Sequence, residues 1–151
     1  MSYAIDVNIL LYSVNQTSPF HAKAAAFFPE CLEKEETCCL VWDVLYGFMR
    51  ISTLPSVFSS PLTPEAASEN ISALIAHPRV ELLGPTPESW DVFRRLCREV
   101  PVRGNLVPDA VVASILEANG IKKIYTHDRD FWKFPYLKPV DPLAVAEFGL
   151  K

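Results

Sequence analysis

Short apolar, β-prone runs at residues 3–5, 37–41, 80–83 and 122–126 alternate with longer stretches of helical periodicity, and that alternation constrains the fold more than anything else in the chain. No two of the runs are joined by a hairpin-length turn. Each connection is long enough to carry a helix across a sheet, which is the requirement for parallel pairing. Strands this short and continuously apolar are buried on both faces. The pattern therefore predicts an α/β fold: a short parallel sheet of four to five strands with helices on both sides. Residues 137–140 supply the fifth, an edge strand.

The helices have recognisable boundaries. Residues 9–12 start one after Asp6-Val7-Asn8. Residues 20–33 follow Pro19, with Phe20, Ala24, Phe27, Phe28 and Cys31 at three- and four-residue spacings. Residues 42–53 place Trp42, Leu45, Tyr46, Phe48, Met49 and Ser52 at helical spacings, predicting a largely buried helix with Gly47 in its middle. An interior glycine costs about 1 kcal/mol relative to alanine, so Gly47 points to close packing or to a lost side chain. Thr63-Pro64-Glu65 and Thr86-Pro87-Glu88 each give a cap, a proline at the first helical position and an early acid, starting helices that reach Ala76 and Glu99. The second turns Trp90, Phe93, Leu96 and Cys97 inward. Residues 106–118 form another helix, ended by Asn119-Gly120. Residues 131–135 read as a short turn or helical piece, and Asp141-Pro142 starts a brief C-terminal helix.

A chain of 151 residues, half hydrophobic and about a fifth charged, fits one domain spanning residues 1–151. No apolar run approaches the roughly 20 residues that span a bilayer, and no secretion signal opens the chain. The expectation is a soluble, cytoplasmic protein with no membrane partner. Cys31, Cys38, Cys39 and Cys97 form no CxxC and read as buried free thiols. A formal net charge of -4 argues against coating nucleic acid by charge alone. Any action on nucleic acid would need cations.

The chemistry gathers at predicted strand ends. Open parallel sheets bind ligands outside the carboxyl ends of their strands. Asp6 and Asp128 stand at two such ends, and Asp109 opens the helix before the fourth strand. The plain alternatives are helix capping, readier for Asn8 than for Asp6, and turn bonding for Thr126 and Asp130 beside a Phe131 anchor. If the three carboxylates converge, their repulsion needs protons or a cation, and an all-oxygen set suits Mg²⁺, with Mn²⁺ able to substitute. Phosphodiester cleavage is the chemistry that follows. A dinucleotide oxidoreductase is disfavoured because no GxGxxG follows the first strand.

Taken together, Ile5-Asp6-Val7-Asn8-Ile9-Leu10, Val107-Pro108-Asp109-Ala110 and Tyr125-Thr126-His127-Asp128-Arg129-Asp130-Phe131 resemble the PIN domain, and more closely the toxin ribonucleases of VapBC-type toxin–antitoxin pairs. The resemblance covers nearly the whole chain. It implies a PIN-like three-layer fold and a magnesium-dependent endoribonuclease that cleaves cellular RNA such as tRNA or rRNA. It also implies a homodimer held inactive by a cognate antitoxin. By position, Asp6, Asp109 and Asp128 would be the catalytic metal ligands, directly or through water, with Asn8, Thr126 and Asp130 orienting them. Arg103, Arg129 and Lys133 are candidates for contact with the RNA backbone. One departure stands out. Many family members carry a glutamate where this chain has Gly47, and Asp43, one turn earlier on the same helical face, is the candidate replacement. Two alternatives share the acidic rim: a PIN-like binding or regulatory module that lost catalysis with its glutamate, and a different metal-dependent nuclease or phosphatase acting on DNA or small phosphoesters.

Overall fold

The computed structural model describes residues 1–144. Five parallel strands, β1 (Ser2–Ile5), β2 (Thr37–Val41), β3 (Val80–Leu83), β4 (Lys123–Tyr125) and β5 (Lys138–Val140), lie in the order β3-β2-β1-β4-β5. Six α-helices flank them: α1 (Val7–Val14), α2 (His21–Glu33), α3 (Trp42–Ser52), α4 (Pro64–Ala76), α5 (Pro87–Glu99) and α6 (Leu106–Ala118). A 3₁₀ turn over Arg129–Lys133 fills the place of the expected helical piece. The three-layer α/β expectation holds, with the fifth strand on the edge. The brief helix expected from Asp141 shows as a turn through residue 144, and its later residues lie outside the described ones.

β1 is the spine. Its neighbours pair on both sides, Ala4 with Cys39 of β2 and with Ile124 of β4, so Tyr3, Ala4 and Ile5 are fully buried. The Tyr3 hydroxyl donates to the Cys31 carbonyl of α2 at 3.3 Å, and the Tyr125 ring packs between Tyr3 and Phe27. These contacts fasten α2 to the sheet. The small residues Ala110, Ala113 and Ser114 are buried on α6, where they permit close approach to its neighbours. Strand order reverses direction between β1 and β4: the chain winds outward through β2 and β3, then returns to β1's other side. A crevice opens at such a switch, at the carboxyl ends of the two strands.

Some expected burial does not occur. Tyr46 is 66% exposed and Trp90 59%, because each lies as an outer ring stacked on a half-buried partner, Trp42 and Phe93 respectively. Cys97 is exposed as well, since it follows Leu96 by one residue and a one-sided helix buries only one of two adjacent positions. Cys31, Cys38 and Cys39 are buried thiols as expected. At the opposite, amino-terminal end of the sheet, Lys122, Lys123 and Lys138 line an open cavity of about 630 Å³ with Glu36.

Candidate active site

The crevice is built from two strand ends and a helix start. β1 ends at Ile5, and Asp6 immediately caps α1, its Oδ1 accepting from the Val7 N–H at 2.7 Å. The Asp6 N–H donates to the Tyr125 carbonyl at 3.0 Å, which carries the strand pairing one residue further. Across the gap Thr126, fully buried, donates its hydroxyl to Asp6 Oδ2 at 2.7 Å and accepts the Asp128 N–H at 2.9 Å. One hydroxyl thus joins the two strand ends. Asp128 Oδ1 accepts the Asp130 N–H at 2.9 Å and starts the 3₁₀ turn. Asn8 is not the cap: its Oδ1 accepts the His127 N–H at 3.3 Å and holds the β4 loop against α1.

Asp109 enters from α6. Leu106-Val107-Pro108 forms the start of that helix, where a proline is tolerated because its missing N–H would have had no helical partner. Asp109 thereby meets the β4 loop. One oxygen each from Asp109, Asp128 and Asp130 lies within 4.8 Å of the others, all three half-buried. Asp6 stands behind this group with both oxygens hydrogen-bonded. The sequence-predicted triad is therefore brought to one crevice, but the closest three oxygens include Asp130 rather than Asp6.

The acids resist ionising together. Burial, joined by the charges of Asp6, Asp128 and Asp130, pushes Asp109 up to about 7, with Lys133 pulling the other way. Burial pushes Asp6 up to about 6 despite the opposing hydrogen bonds from Thr126 and Val7, and Asp128 adds to the rise. A divalent cation relieves both causes. The donors are all carboxylate oxygens at mutual distances that one ion can bridge, so the residues fit a hard cation.

Beside the cluster a cavity of about 380 Å³ is lined by Asp6 and Asp109 on one side and by Asp43, Gly47 and Arg50 of α3 on the other. Asp43 therefore faces the site while standing outside the close acidic group. Lys133 reaches Asp130 Oδ1 at 3.0 Å, and Arg129 is exposed next to Asp128. Arg103 sits exposed in the loop before α6 and, among the described residues, forms no salt bridge with the acids.

Comparison with known proteins gives this arrangement a family. The PIN domain profile matches residues 3–135. The chain belongs to the PIN-domain family. Among curated PIN relatives it is similar to Ribonuclease VapC48 of Mycobacterium tuberculosis, at 38% identity over 95% of this chain and 99% of that protein. Ribonuclease VapC37 of the same species is 31% identical over 93% of this chain and 97% of its own length. A solved PIN structure, VapBC2 from Rickettsia felis bound to a DNA fragment from its promoter, aligns with a TM-score of 0.68 at 19% identity, covering 93% of this chain and 98% of that one. At that identity the structural likeness speaks for the PIN fold alone.

Two features of this PIN site were missed in the sequence. Arg50, read only as a residue of a buried helix, faces the cavity; its signal is the spacing Asp43, Gly47, Arg50, four and then three residues, which is one helical face. His127 pairs through Nδ1 with Asp141 at 2.8 Å and packs against Phe20, fastening the loop that carries Asp128. No local pattern joins residues 127 and 141.

Proposed function

We propose that this protein is the RNA-cleaving toxin of a VapBC-type pair, a Mg²⁺-dependent endoribonuclease restrained by a cognate antitoxin protein. The observation that carries the reading is the group Asp109, Asp128 and Asp130, oxygens within 4.8 Å, at the switch-point crevice of a PIN fold. The names of the relatives support it, since both are ribonucleases at 31–38% identity over nearly the whole chain. The pairing named in the Rickettsia structure supports an antitoxin partner.

Asp109, Asp128 and Asp130 hold the cation, with Asp6 contributing charge and the remaining lone pairs of its oxygens. When bound, Mg²⁺ or Mn²⁺ makes a water nucleophilic at neutral pH and offsets the charge that develops at the scissile phosphate. The chain's own part is preorganisation. Thr126 fixes Asp6 and the Asp128 backbone together, Lys133 and the Asx turn orient Asp130, and Asn8 pins the loop between them. Ligands held this way need little rearrangement to meet the cation, which raises its affinity. Arg129, Lys133 and, at greater remove, Arg103 are the side chains we assign to the RNA backbone. Single-stranded or loop RNA, as found in tRNA and rRNA, fits best, because unstacked bases can be read and attacked there.

The cytoplasm, where such RNA is met, is the location we assign; among the described residues no helix is long and apolar enough to cross a membrane. A homodimer belongs to the same reading and is checked by light scattering on the antitoxin-free protein. The deciding experiment is incubation of antitoxin-free protein with a mixed RNA pool containing intact tRNAs, in Mg²⁺ or Mn²⁺, with EDTA and Asp109→Asn as controls. Discrete cuts that vanish in both controls are expected. Cuts that survive EDTA would overturn the metal dependence, and no cuts together with no measurable Mn²⁺ binding would overturn the enzyme.

A further inference from the structure

We propose that Arg50, together with the gap left by Gly47, forms a subsite that grips a phosphodiester group of the RNA adjoining the acidic cluster. The inference rests on the ribonuclease reading and adds to it a residue and a space. α3 presents Asp43, Gly47 and Arg50 on one face, and all three line the cavity whose far wall is Asp6 and Asp109. The middle of that stripe has no side chain. A Cβ placed at Gly47 would meet only Val7 Cγ2, at 3.6 Å, an ordinary van der Waals contact. Gly47 also lacks the positive φ that would demand glycine, a conformation found at Gly104 and Gly120. Neither packing nor backbone thus requires the residue, although glycine inside a helix costs about 1 kcal/mol relative to alanine. What it provides is open space beside the acids.

Arg50 is, among the described residues, the only cationic side chain on the cavity wall. Among the described residues no carboxylate lies within salt-bridge distance of its guanidinium, whereas Lys133, which also stands beside the acids, is already tied to Asp130. Asp43 cannot neutralise it, since seven residues along a helix is about 10 Å. A planar guanidinium with free donors matches the two non-bridging oxygens of a phosphodiester. Its fixed positive charge on α3 offsets phosphate charge across the cavity from the acidic cluster. The open space at position 47 and the free base at position 50 then describe one arrangement.

The test measures binding without cleavage, on the full chain, by fluorescence anisotropy of a short labelled single-stranded RNA of mixed sequence in EDTA. Arg50→Ala should weaken binding about tenfold or more and flatten the salt dependence by about 0.7, one phosphate contact on a single strand. Arg50→Lys should restore the salt slope and only part of the affinity. Gly47→Glu should weaken binding as Arg50→Ala does, because the new carboxylate fills the gap and pairs with Arg50 three residues on. Mn²⁺ affinity by calorimetry should be unchanged in Arg50→Ala and no weaker in Gly47→Glu. Since Arg50 is exposed, both Arg50 variants should melt like the parent. An Arg50→Ala protein that binds RNA with parental affinity and slope, beside normal cleavage by the parent, overturns the subsite alone. A parent that neither binds nor cuts RNA overturns the ribonuclease reading and the subsite with it.

Discussion

The two ends of the sheet are both charged, and they treat their charges in opposite ways. At the amino end, Lys122 and Lys123 lie over the rings of Tyr136 and Tyr125, at 5.4 and 4.8 Å, and with Lys138 they face an open cavity. There the surroundings favour charge: hydrogen bonding to Tyr125 first, with Glu36 helping, raises Lys123 above the ordinary lysine range. At the carboxyl end the surroundings oppose it: burial pushes Asp6 and Asp109 up to about 6 and about 7, Asp128 adding to the rise in the first and Asp6, Asp128 and Asp130 to the rise in the second. The larger cavity is at the relaxed end. A site is marked by charges immobilised where they are uncomfortable, because only those have free energy to give up to a ligand.

That contrast can be broken most forcefully by removing the acids. Asp109→Ala and Asp128→Ala should each lower RNA cleavage by about 10³-fold, the scale of losing a preorganised charge-stabilising group, with the circular dichroism spectrum retained. Cleavage within tenfold of the parent in either would show that the cluster is not the catalytic one. Next in size is a pH effect on the metal-free protein. Both raised acids favour the protonated fold, so their stabilisation is complete below the ordinary carboxylate range and is lost as pH rises through about 6 and about 7. In EDTA the melting temperature should fall between pH 5 and pH 8 by a few degrees, at about 2–4 °C per kcal/mol for a chain of this size. Asp109→Asn should flatten that fall, and Mg²⁺ should restore the parent at pH 8 but hardly move it at pH 5; a flat parental profile would mean that the acids are not strained.

Smaller effects sharpen the comparison. Asp43→Ala should weaken Mn²⁺ binding only about threefold, since Asp43 faces the cavity from outside the close group and acts across water. Unchanged affinity would return it to the surface. Replacing Lys122, Lys123 and Lys138 together by alanine should leave cleavage within about twofold and stability within about 0.5 kcal/mol per site, as for ordinary surface positions. A large loss would place function at the amino end too.

Much of this was legible in the chain. β1 and β2 came through because parallel strands buried on both faces read as unbroken apolar runs, whereas the edge strands β3 and β5 carry exposed Glu81 and Lys138 and are not buried on both faces as expected; α4 and α5 came through because Thr63 and Thr86 cap them ahead of a proline. Asp6 and Asp128 could be picked out because strand ends in an open sheet are where ligands sit, and Asp109, in the first turn of α6, because of the motif resemblance. The division of labour among them was hidden. That Asp6 would cap α1, leaving Asp130 in the close group, depends on which rotamers the Thr126 hydroxyl permits, and 120 positions separate that residue from Asp6. Tyr46 and Trp90 misled because helical spacing tells which residues share a face but not whether another element covers it.

The same separation has a consequence for synthesis. Asp6 leaves the ribosome well ahead of its hydrogen-bond partner and the strand beside it, which are made 120 positions later. Until β4 has been translated, β1 lacks one neighbour, the crevice has one wall, and Asp128 and Asp130 do not exist. Nascent chains stalled before residue 123 should bind no Mn²⁺ and cut no RNA, and activity in one would show that β4 is dispensable. For an enzyme that destroys RNA, this order of assembly is a safeguard: the machine that makes the toxin faces no working nuclease until β4 and the loop after it have been made.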